Sequence, residues 1–133
     1  MLTDWTRIAI EREMDVVVAR QRGRELAAAA GFSSSDQTLI ALAISELARN
    51  IVVYAQRGEI VIQTVEGERR GIEIVAHDDG PGIPDIELAM RDGYSTTKSL
   101  GLGLPGTRRV MDEFDLRSER QKGTTITIRK WLR

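Results

Sequence analysis

The segment Ile74-Val75-Ala76-His77-Asp78-Asp79-Gly80-Pro81-Gly82 joins an apolar, β-branched run to a glycine-rich turn. The run is typical of a buried strand, and Asp78 places a carboxylate where that strand ends. Gly80 and Gly82 allow the chain to turn sharply and to approach a ligand closely. A carboxylate here can accept a hydrogen bond from an exocyclic amine such as N6 of adenine. An ordinary Asp-Gly-Pro turn explains the same residues, so the segment alone leaves both interpretations open.

The rest of the chain predicts an α+β protein around this segment. Helices and strands alternate in an order that favours a two-layer α/β sandwich, with helices on one face of a mixed, mostly antiparallel sheet. The predicted strands are Thr6–Ile10, Glu59–Glu66, Gly71–Asp78, Asp115–Glu119 and Thr124–Trp131. The predicted helices are Met14–Ala30, Asp36–Ala55, a short one near Ile86–Arg91, and Gly103–Glu113. At 133 residues, we expect a single domain over residues 1–133.

The predicted second helix carries a carboxylate and an amide one turn apart, at Glu46 and Asn50. This spacing projects both side chains from one face of the helix. A helical wheel places Ile40, Ile44, Leu47 and Ile51 in the buried stripe, Leu39, Ala43 and Val53 beside the polar pair, and the solvent side near Ser45, Arg49 and Val52. Polar groups among apolar neighbours need partners. The pair is therefore either a Mg²⁺ ligand with a proton-accepting base, or two side chains that flank the stripe and reach solvent.

A second glycine segment, Ser99-Leu100-Gly101-Leu102-Gly103-Leu104, precedes the predicted third helix. Glycines at a helix start leave backbone N–H groups free to face phosphate oxygens. Lys98 can contact phosphate, and Ser95, Thr96, Thr97 and Ser99 supply hydroxyls nearby. The segment is not a Walker A loop, and no strand leads into it as a Rossmann fingerprint requires. Alone it is a weak indication, as is Gly123-Thr124-Thr125, where a hydroxyl next to the base is no more strongly indicated than an ordinary hairpin turn.

Composition excludes several classes of function. The chain has no cysteine and one histidine, His77, which excludes disulfides and thiolate or histidine-cluster metal sites. A net charge of −1 gives no broad basic surface for nucleic acid, and the basic end Arg129–Arg133 is interpreted as a solvated strand end. By inspection, no apolar run approaches the length of a membrane span, and the N-terminus lacks the apolar core of a signal peptide. We therefore expect a cytoplasmic protein.

Together the motifs resemble the GHKL (Bergerat-fold) ATP-binding family. Its order is Glu-x-x-x-Asn on a helix, Asp-x-Gly-x-Gly after a strand, Gly-x-Gly opening a helix, and a late Gly-Thr. The resemblance covers essentially the whole chain and departs from the family pattern at no motif position. Long ATPase and chaperone branches need further domains, and histidine kinases need a helix pair bearing the phosphorylated histidine. His77 lies in a strand and is interpreted as structural.

The resemblance implies a role for each motif residue. Asn50 would bind Mg²⁺ and Glu46 would be the general base, while Asp78 would bind the adenine amino group with help from Thr124. The remaining ATP-binding residues would be Gly80 and Gly82 at the base, and Lys98, Ser99, Gly101, Leu102, Gly103 and Leu104 at the triphosphate. Residues Asp85 to Leu100 would form a mobile lid.

Within the family, the chain looks most like the one-domain serine/threonine switch kinases of the RsbT type. This resemblance rests on Glu46-Leu47-Ala48-Arg49-Asn50-Ile51, the short first strand, the compact lid and the end at Trp131-Leu132-Arg133. It implies phosphorylation of STAS-domain proteins in a stressosome-like complex. After release the kinase would activate a downstream partner, such as a PP2C-type phosphatase or another signalling output.

Three alternatives stay open, as does homodimer formation. The chain could be an anti-sigma factor that sequesters a sigma subunit and is also a kinase. It could be a binding module in which ATP only sets partner affinity, although the retained Glu46 favours catalysis. It could also be a detached sensor-kinase domain acting on a histidine phosphotransfer protein.

Overall fold

A computed structural model of the chain describes residues 5–83, 90 and 103–133. Its sheet has the strand order β1-β2-β3-β5-β4, and every described pairing is antiparallel. The strands are β1 Trp5–Ile10, β2 Gly58–Val65, β3 Gly71–Asp78, β4 Glu113–Glu119 and β5 Gly123–Trp131. The helices are α1 Glu13–Ala30, α2 Ser34–Asn50 with a π-helical turn Ile51–Ala55 after it, and α3 Gly103–Val110. The helix predicted near Ile86–Arg91 and the lid predicted at Asp85–Leu100 lie outside the described residues.

Helices cover one face of the sheet, which we call the inner face. Alternate strand residues point to it and form the core with α1 and α2, as the period of two requires. Its buried isoleucines are Ile8, Ile10, Ile60, Ile62, Ile72, Ile74, Ile126 and Ile128. The predicted two-layer α+β sandwich is confirmed, and the sheet is antiparallel throughout its described strands.

Small residues let α1 approach α2 closely. Ala19, Gly23 and Ala27 are buried along one side of α1, and a Cβ added at Gly23 would lie inside 3.0 Å of Ile44 Cδ1. The helix ends at Gly31, whose φ of 102° is left-handed and whose N–H bonds back to the last turn. A left-handed glycine is a common way for a helix to end.

α2 is buried on more sides than a helical wheel predicts. The stripe of Ile40, Ile44, Leu47 and Ile51 is buried as expected. The prediction that Ser45 lies on the solvent side is wrong, since Ser45 is only 5% exposed and donates to the Ala41 carbonyl at 2.9 Å. The reason is that α1, α3 and the sheet all contact α2, whereas the wheel assumes a single buried face.

The apolar character of α2 also corrects an expectation about membrane spans. Ser34–Ala55 has 22 residues and a mean hydropathy of 1.5, so by length and composition it could cross a membrane. The expectation that no apolar run reaches this length is therefore wrong. Half of the segment is buried inside the fold, which is also what the core helix of a two-layer protein shows.

Two helix ends differ from their predicted positions. The second helix was expected to be α-helical to Ala55, but the π turn replaces its last five residues, where β-branched Ile51, Val52 and Val53 restrict side-chain freedom. α3 ends at Val110 rather than near Glu113, since the Asp112 N–H donates to the Arg129 carbonyl of β5 at 2.9 Å instead of continuing the helix. The Val110 carbonyl accepts a hydrogen bond from Lys130 Nζ at 2.7 Å.

The interpretation of Arg129–Arg133 as a solvated strand end is wrong for two of its residues. Lys130 is only 7% exposed and its ammonium lies at the C-terminus of α3, where a positive charge meets the helix dipole favourably. Arg129 bonds to Glu73 at 2.6 Å and to Glu113 at 3.0 Å. This end of the chain therefore joins α3 and three strands.

Candidate functional site

Polar or small residues of four neighbouring strands lie side by side at one end of the inner face. Asp78 of β3 is the Cα partner of Gly58 on one side and of Thr124 on the other, and Thr124 is the partner of Ser118. The row lies one step beyond the buried residues Ile60, Ala76 and Ile126 of the same strands. We call these four residues, Gly58, Asp78, Thr124 and Ser118, the polar row.

The end of α2 lies directly over the polar row. A Cβ added at Gly58 would lie 2.9 Å from Ile51 Cγ2 and 3.0 Å from Asp78 Cβ. A Cβ added at Gly80 would lie 2.7 Å from the Ala55 Cβ. Side chains at either glycine would therefore push the π turn away from β3, which explains why glycine is required at both positions.

Asp78 is held by the turn that follows it. One carboxylate oxygen, Oδ1, accepts a hydrogen bond from the Gly80 N–H at 2.9 Å. No further hydrogen bond of this carboxylate occurs within residues 5–83, 90 and 103–133. A partly buried carboxylate with acceptor capacity left over suits a ligand that donates, such as an exocyclic amine.

Two more glycines lock this turn against the β4–β5 hairpin. Gly82 has φ +80° and Gly123 has φ +99°, values that residues with a side chain rarely adopt. A Cβ at Gly82 would lie inside 3.0 Å of the Glu119 carbonyl, and one at Gly123 inside 3.0 Å of the Asp78 carbonyl. The Gln121 N–H also donates to the Pro81 carbonyl at 2.8 Å. The turn after β3 is thus held against the β4–β5 hairpin by close backbone contacts.

Sequence reasoning missed Ser118. Its Oγ lies 2.9 Å from Thr124 Oγ1, accepts from the Ile83 N–H at 2.7 Å, and lies 3.3 Å from the Gly123 carbonyl. Only the register of the β4–β5 hairpin places Ser118 opposite Thr124. The sequence allows an ordinary hairpin turn at Gly123-Thr124-Thr125, but such a turn does not fix the register of the two strands that it joins.

Glu46 is one of the few buried charged residues, with 3% of its surface exposed. Arg49 Nη1 lies 3.7 Å from Glu46 Oε1, and Arg49 Nε lies 3.7 Å from Glu13 Oε1 of α1. The alternative in which Glu46 reaches solvent is therefore wrong. A buried carboxylate next to a guanidinium is compensated in charge, and Arg49 is a second residue that sequence reasoning did not assign to the site.

Asn50 is the last residue of α2 and is half-buried. Among the described residues its side chain makes no hydrogen bond. No group of three or more His, Cys, Asp or Glu side chains that could hold a metal occurs among those residues either. The Asn50 amide oxygen fits a hard cation whose other ligands are phosphate oxygens and water.

α3 begins at Gly103, which has φ +68°. Thr107 is fully buried and donates to the Gly103 carbonyl at 2.9 Å, while Leu104 and Gly106 are buried in the helix. The helix contacts α2. Of the predicted triphosphate contacts, Lys98, Ser99, Gly101 and Leu102 lie outside the described residues.

His77 lies on the opposite, outer face of the sheet. Its Nδ1 lies 2.7 Å from Thr125 Oγ1 and its Nε2 lies 3.2 Å from Asp79 Oδ1. It therefore ties β3 to β5 behind the polar row.

The chain matches the family described as the histidine kinase-like ATPase domain over residues 10–130. It is similar to the serine/threonine-protein kinase RsbT of Bacillus subtilis, with 50% identity over 99% of this chain and 100% of that protein. It is also similar to anti-sigma F factors. That of Geobacillus stearothermophilus is 31% identical over 74% of this chain and 71% of that protein.

Two solved structures share the fold. The RsbU and RsbW domains of Rv1364c from Mycobacterium tuberculosis match with a TM-score of 0.68 and 19% identity, over 100% of this chain and 33% of that chain. A histidine kinase domain from Erythrobacter litoralis matches with a TM-score of 0.53 and 15% identity, over 89% of this chain and 59% of that one. The chain thus spans only part of either structure. Since the histidine kinase-like ATPase match covers most of the residues and the identity to RsbT extends over nearly the whole chain, the chain belongs to the histidine kinase-like ATPase family, in its branch of ATP-dependent serine/threonine protein kinases.

Proposed function

We propose that the chain transfers the γ-phosphate of Mg-ATP to a serine or threonine of a STAS-domain protein, as the switch kinase of a stress-signalling, partner-switching module. The observation that carries the proposal is the buried Glu46, compensated by Arg49 and placed one turn before Asn50 on a helix that ends over the polar row. The unit of activity would be one ATP-binding kinase domain over residues 1–133.

The nucleotide is expected to lie between the end of α2 and the polar row. Asp78 would accept from the adenine amine through its remaining capacity, with Thr124 beside it and Gly80 and Gly82 forming the wall. The Asn50 amide would hold Mg²⁺, which when bound supplies neutralisation of the phosphate charge. Lys98, Ser99, Gly101, Leu102, Gly103 and Leu104 would surround the triphosphate, beneath a lid at Asp85–Leu100.

Glu46 would act as the general base. The hydroxyl oxygen of the substrate forms a bond to the γ-phosphorus while the bond from that phosphorus to the β–γ bridging oxygen breaks, and ADP leaves. The proton of the hydroxyl passes to the Glu46 carboxylate. Arg49 keeps this carboxylate oriented by its contact at 3.7 Å.

The proposed partners follow from the relatives. RsbT is named as a serine/threonine kinase, and the anti-sigma F factors by their sigma partner. We propose that STAS-domain proteins are both substrate and scaffold, and that a phosphatase or another signalling output acts downstream. A partner-switching kinase of this kind is consistent with both names. The proposal places the protein in the cytoplasm, without a nucleic-acid partner, and leaves homodimer formation to be measured.

The decisive experiment is phosphoryl transfer from γ-labelled Mg-ATP to a STAS-domain protein encoded by the same genome, with the modified residue mapped. We expect phosphoserine or phosphothreonine. Because a general base contributes roughly 10²- to 10⁴-fold, Glu46→Gln should lower transfer by at least about a hundredfold while ATP still binds. Asn50→Ala should weaken Mg-ATP binding itself.

The matched control is Glu68→Gln, which removes an exposed carboxylate from the β2–β3 turn and should leave transfer unchanged. Normal transfer by Glu46→Gln would refute the base assignment. ATP binding without transfer by the unaltered protein would instead favour a nucleotide-gated binding module.

One alternative has a specific observation in its favour, the 31% identity to anti-sigma F factors. If the chain sequesters a sigma factor, the immobilised protein should retain one in the presence of Mg-ATP. A detached sensor kinase is distinguished by the product, because phosphohistidine is lost in acid and phosphoserine is not.

A further inference from the structure

The Ser118 hydroxyl lies at the far end of the polar row and has three potential hydrogen-bond partners. It contacts Thr124 Oγ1 at 2.9 Å, the Ile83 N–H at 2.7 Å and the Gly123 carbonyl at 3.3 Å. Because a hydroxyl has one proton and two lone pairs, these three contacts constrain which atom donates to which.

The count of protons limits the arrangement to two. The Ile83 N–H can only donate, so it occupies one lone pair of Ser118. The single proton of Ser118 then goes either to Thr124 Oγ1 or to the Gly123 carbonyl. The contact to Gly123, at 3.3 Å, lies beyond the usual length of an O–H···O hydrogen bond, whereas the contact to Thr124 at 2.9 Å lies within it.

Resting on the proposed nucleotide site, we propose that Ser118 is a positioning residue that donates to Thr124 and thereby turns the Thr124 hydroxyl into a hydrogen-bond donor toward ring nitrogen N1 of the adenine. Thr124 makes no other side-chain hydrogen bond within the described residues. Its own proton therefore remains available for a ligand. Within residues 5–83, 90 and 103–133, no side-chain hydrogen bond other than that with Ser118 fixes the direction of that proton.

The resulting pattern matches adenine. Asp78 is an acceptor and Thr124, its neighbour across the β3–β5 pair, is a donor. Adenine presents the complementary amine donor at N6 and acceptor at N1, side by side. Guanine presents a carbonyl and an N–H at the same two positions, so its polarity is reversed. The Ser118–Thr124 pair would therefore select adenine against guanine.

The test compares Mg-ATP with 1-deaza-ATP, in which N1 is replaced by a C–H group, by calorimetric titration without a protein substrate. A neutral hydrogen bond of about 1.4 kcal/mol corresponds to about tenfold in affinity. We expect the unaltered protein to prefer ATP about tenfold, and Ser118→Ala to bind the two nucleotides equally. Ser118→Thr, which keeps the hydroxyl, should restore the preference.

Thr127→Val is the matched control, since Thr127 lies on the outer face of β5, and it should keep the full preference. If Ser118→Ala weakens both nucleotides equally and the preference persists, Ser118 is only structural and the proposal is wrong. If Ser118→Ala does not fold, Ser118→Cys offers a weaker donor of similar volume and should show a reduced preference. An unchanged preference in the folded Cys variant would also overturn the proposal.

The outcomes separate this proposal from the proposed function. Failure of the unaltered protein to bind ATP would remove the nucleotide site and both proposals with it. Binding without phosphoryl transfer would leave the nucleotide preference measurable, so the role of Ser118 is decided independently of catalysis.

Discussion

The two ends of the inner face both carry polar side chains within a mainly apolar layer, and the two ends satisfy them differently. At one end the Lys130 ammonium bonds to the Val110 carbonyl and caps α3. At the other end the Asp78 carboxylate uses one oxygen in its own turn, and the Asn50 side chain makes no hydrogen bond among the described residues. Buried polar groups without partners destabilise a fold. The first end therefore contributes to stability, while the second keeps hydrogen-bonding capacity for a ligand.

Gly123→Ala should have the largest effect, because it should lower both the stability of the fold and the affinity for ATP. The added Cβ would meet the Asp78 carbonyl, and the φ of +99° disfavours a side chain. We expect the free energy of unfolding in urea to fall by at least about 2 kcal/mol, and ATP binding to be lost. Gly67→Ala is the control, because nothing lies within 4 Å of an added Cβ there.

Asp78→Asn should affect the ligand end alone. The amide still offers an oxygen to the Gly80 N–H, but it loses the charge that would meet the adenine amine. Since hydrogen bonds to charged groups contribute about 1.5–3 kcal/mol, ATP affinity should fall by roughly ten- to a hundredfold. The urea midpoint should stay close to that of the unaltered protein. Unchanged affinity for ATP would show that Asp78 does not bind the adenine amine.

Lys130→Met should affect the structural end alone. Methionine fills a similar volume but leaves the Val110 carbonyl without its donor, at a cost of about 1–3 kcal/mol in the free energy of unfolding. ATP affinity should be unchanged, and both quantities can be measured on the same preparation. A loss of ATP affinity comparable to that of Asp78→Asn would show that the two ends are not independent.

The smallest expected effect is that of a substitution at the start of α1, which leaves both ends of the inner face unchanged. The Asp15 carboxylate accepts hydrogen bonds from the Glu11 and Arg12 N–H groups, each at 2.9 Å, and these lower the pKa of Asp15 below its usual value. Its contribution to stability is therefore present above the pKa of Asp15 in the unfolded chain and is lost as the pH falls through the folded pKa. Asp15→Asn should be less stable than the unaltered protein at neutral pH. The difference in urea midpoint should disappear in acid, and a difference independent of pH would contradict this.

Local patterns predicted the fold well because it is built from local signals. The β-branched runs predicted the strands, and the helices were predicted close to their observed bounds. Gly31 ends α1, and α2 begins after Ser33, whose hydroxyl accepts a hydrogen bond from the Asp36 N–H at 3.1 Å. The spacing of Gly80 and Gly82 predicted a sharp turn and close approach, which the structure shows against Ala55 and Glu119.

Features that depend on distant partners could not be read from the residues. Ser45 was assigned to solvent because a helical wheel does not reveal that a second helix covers the other side. Lys130 appeared as a surface charge because its acceptor, Val110, lies 20 residues earlier. Ser118 needed the strand register, and Arg49 was missed as a contact of Glu46 because the wheel placed it toward water.

The π turn at Ile51–Ala55 has a consequence for the length of this helix. A π turn holds about one residue more than an α-helical turn. If the same five residues were α-helical instead, Ala55 would lie about 100° further around the helix axis. Ala55 would then no longer pack against Gly80. The packing of α2 against the turn at Gly80 thus depends on how many residues the last helical turn holds, and not only on which residues they are.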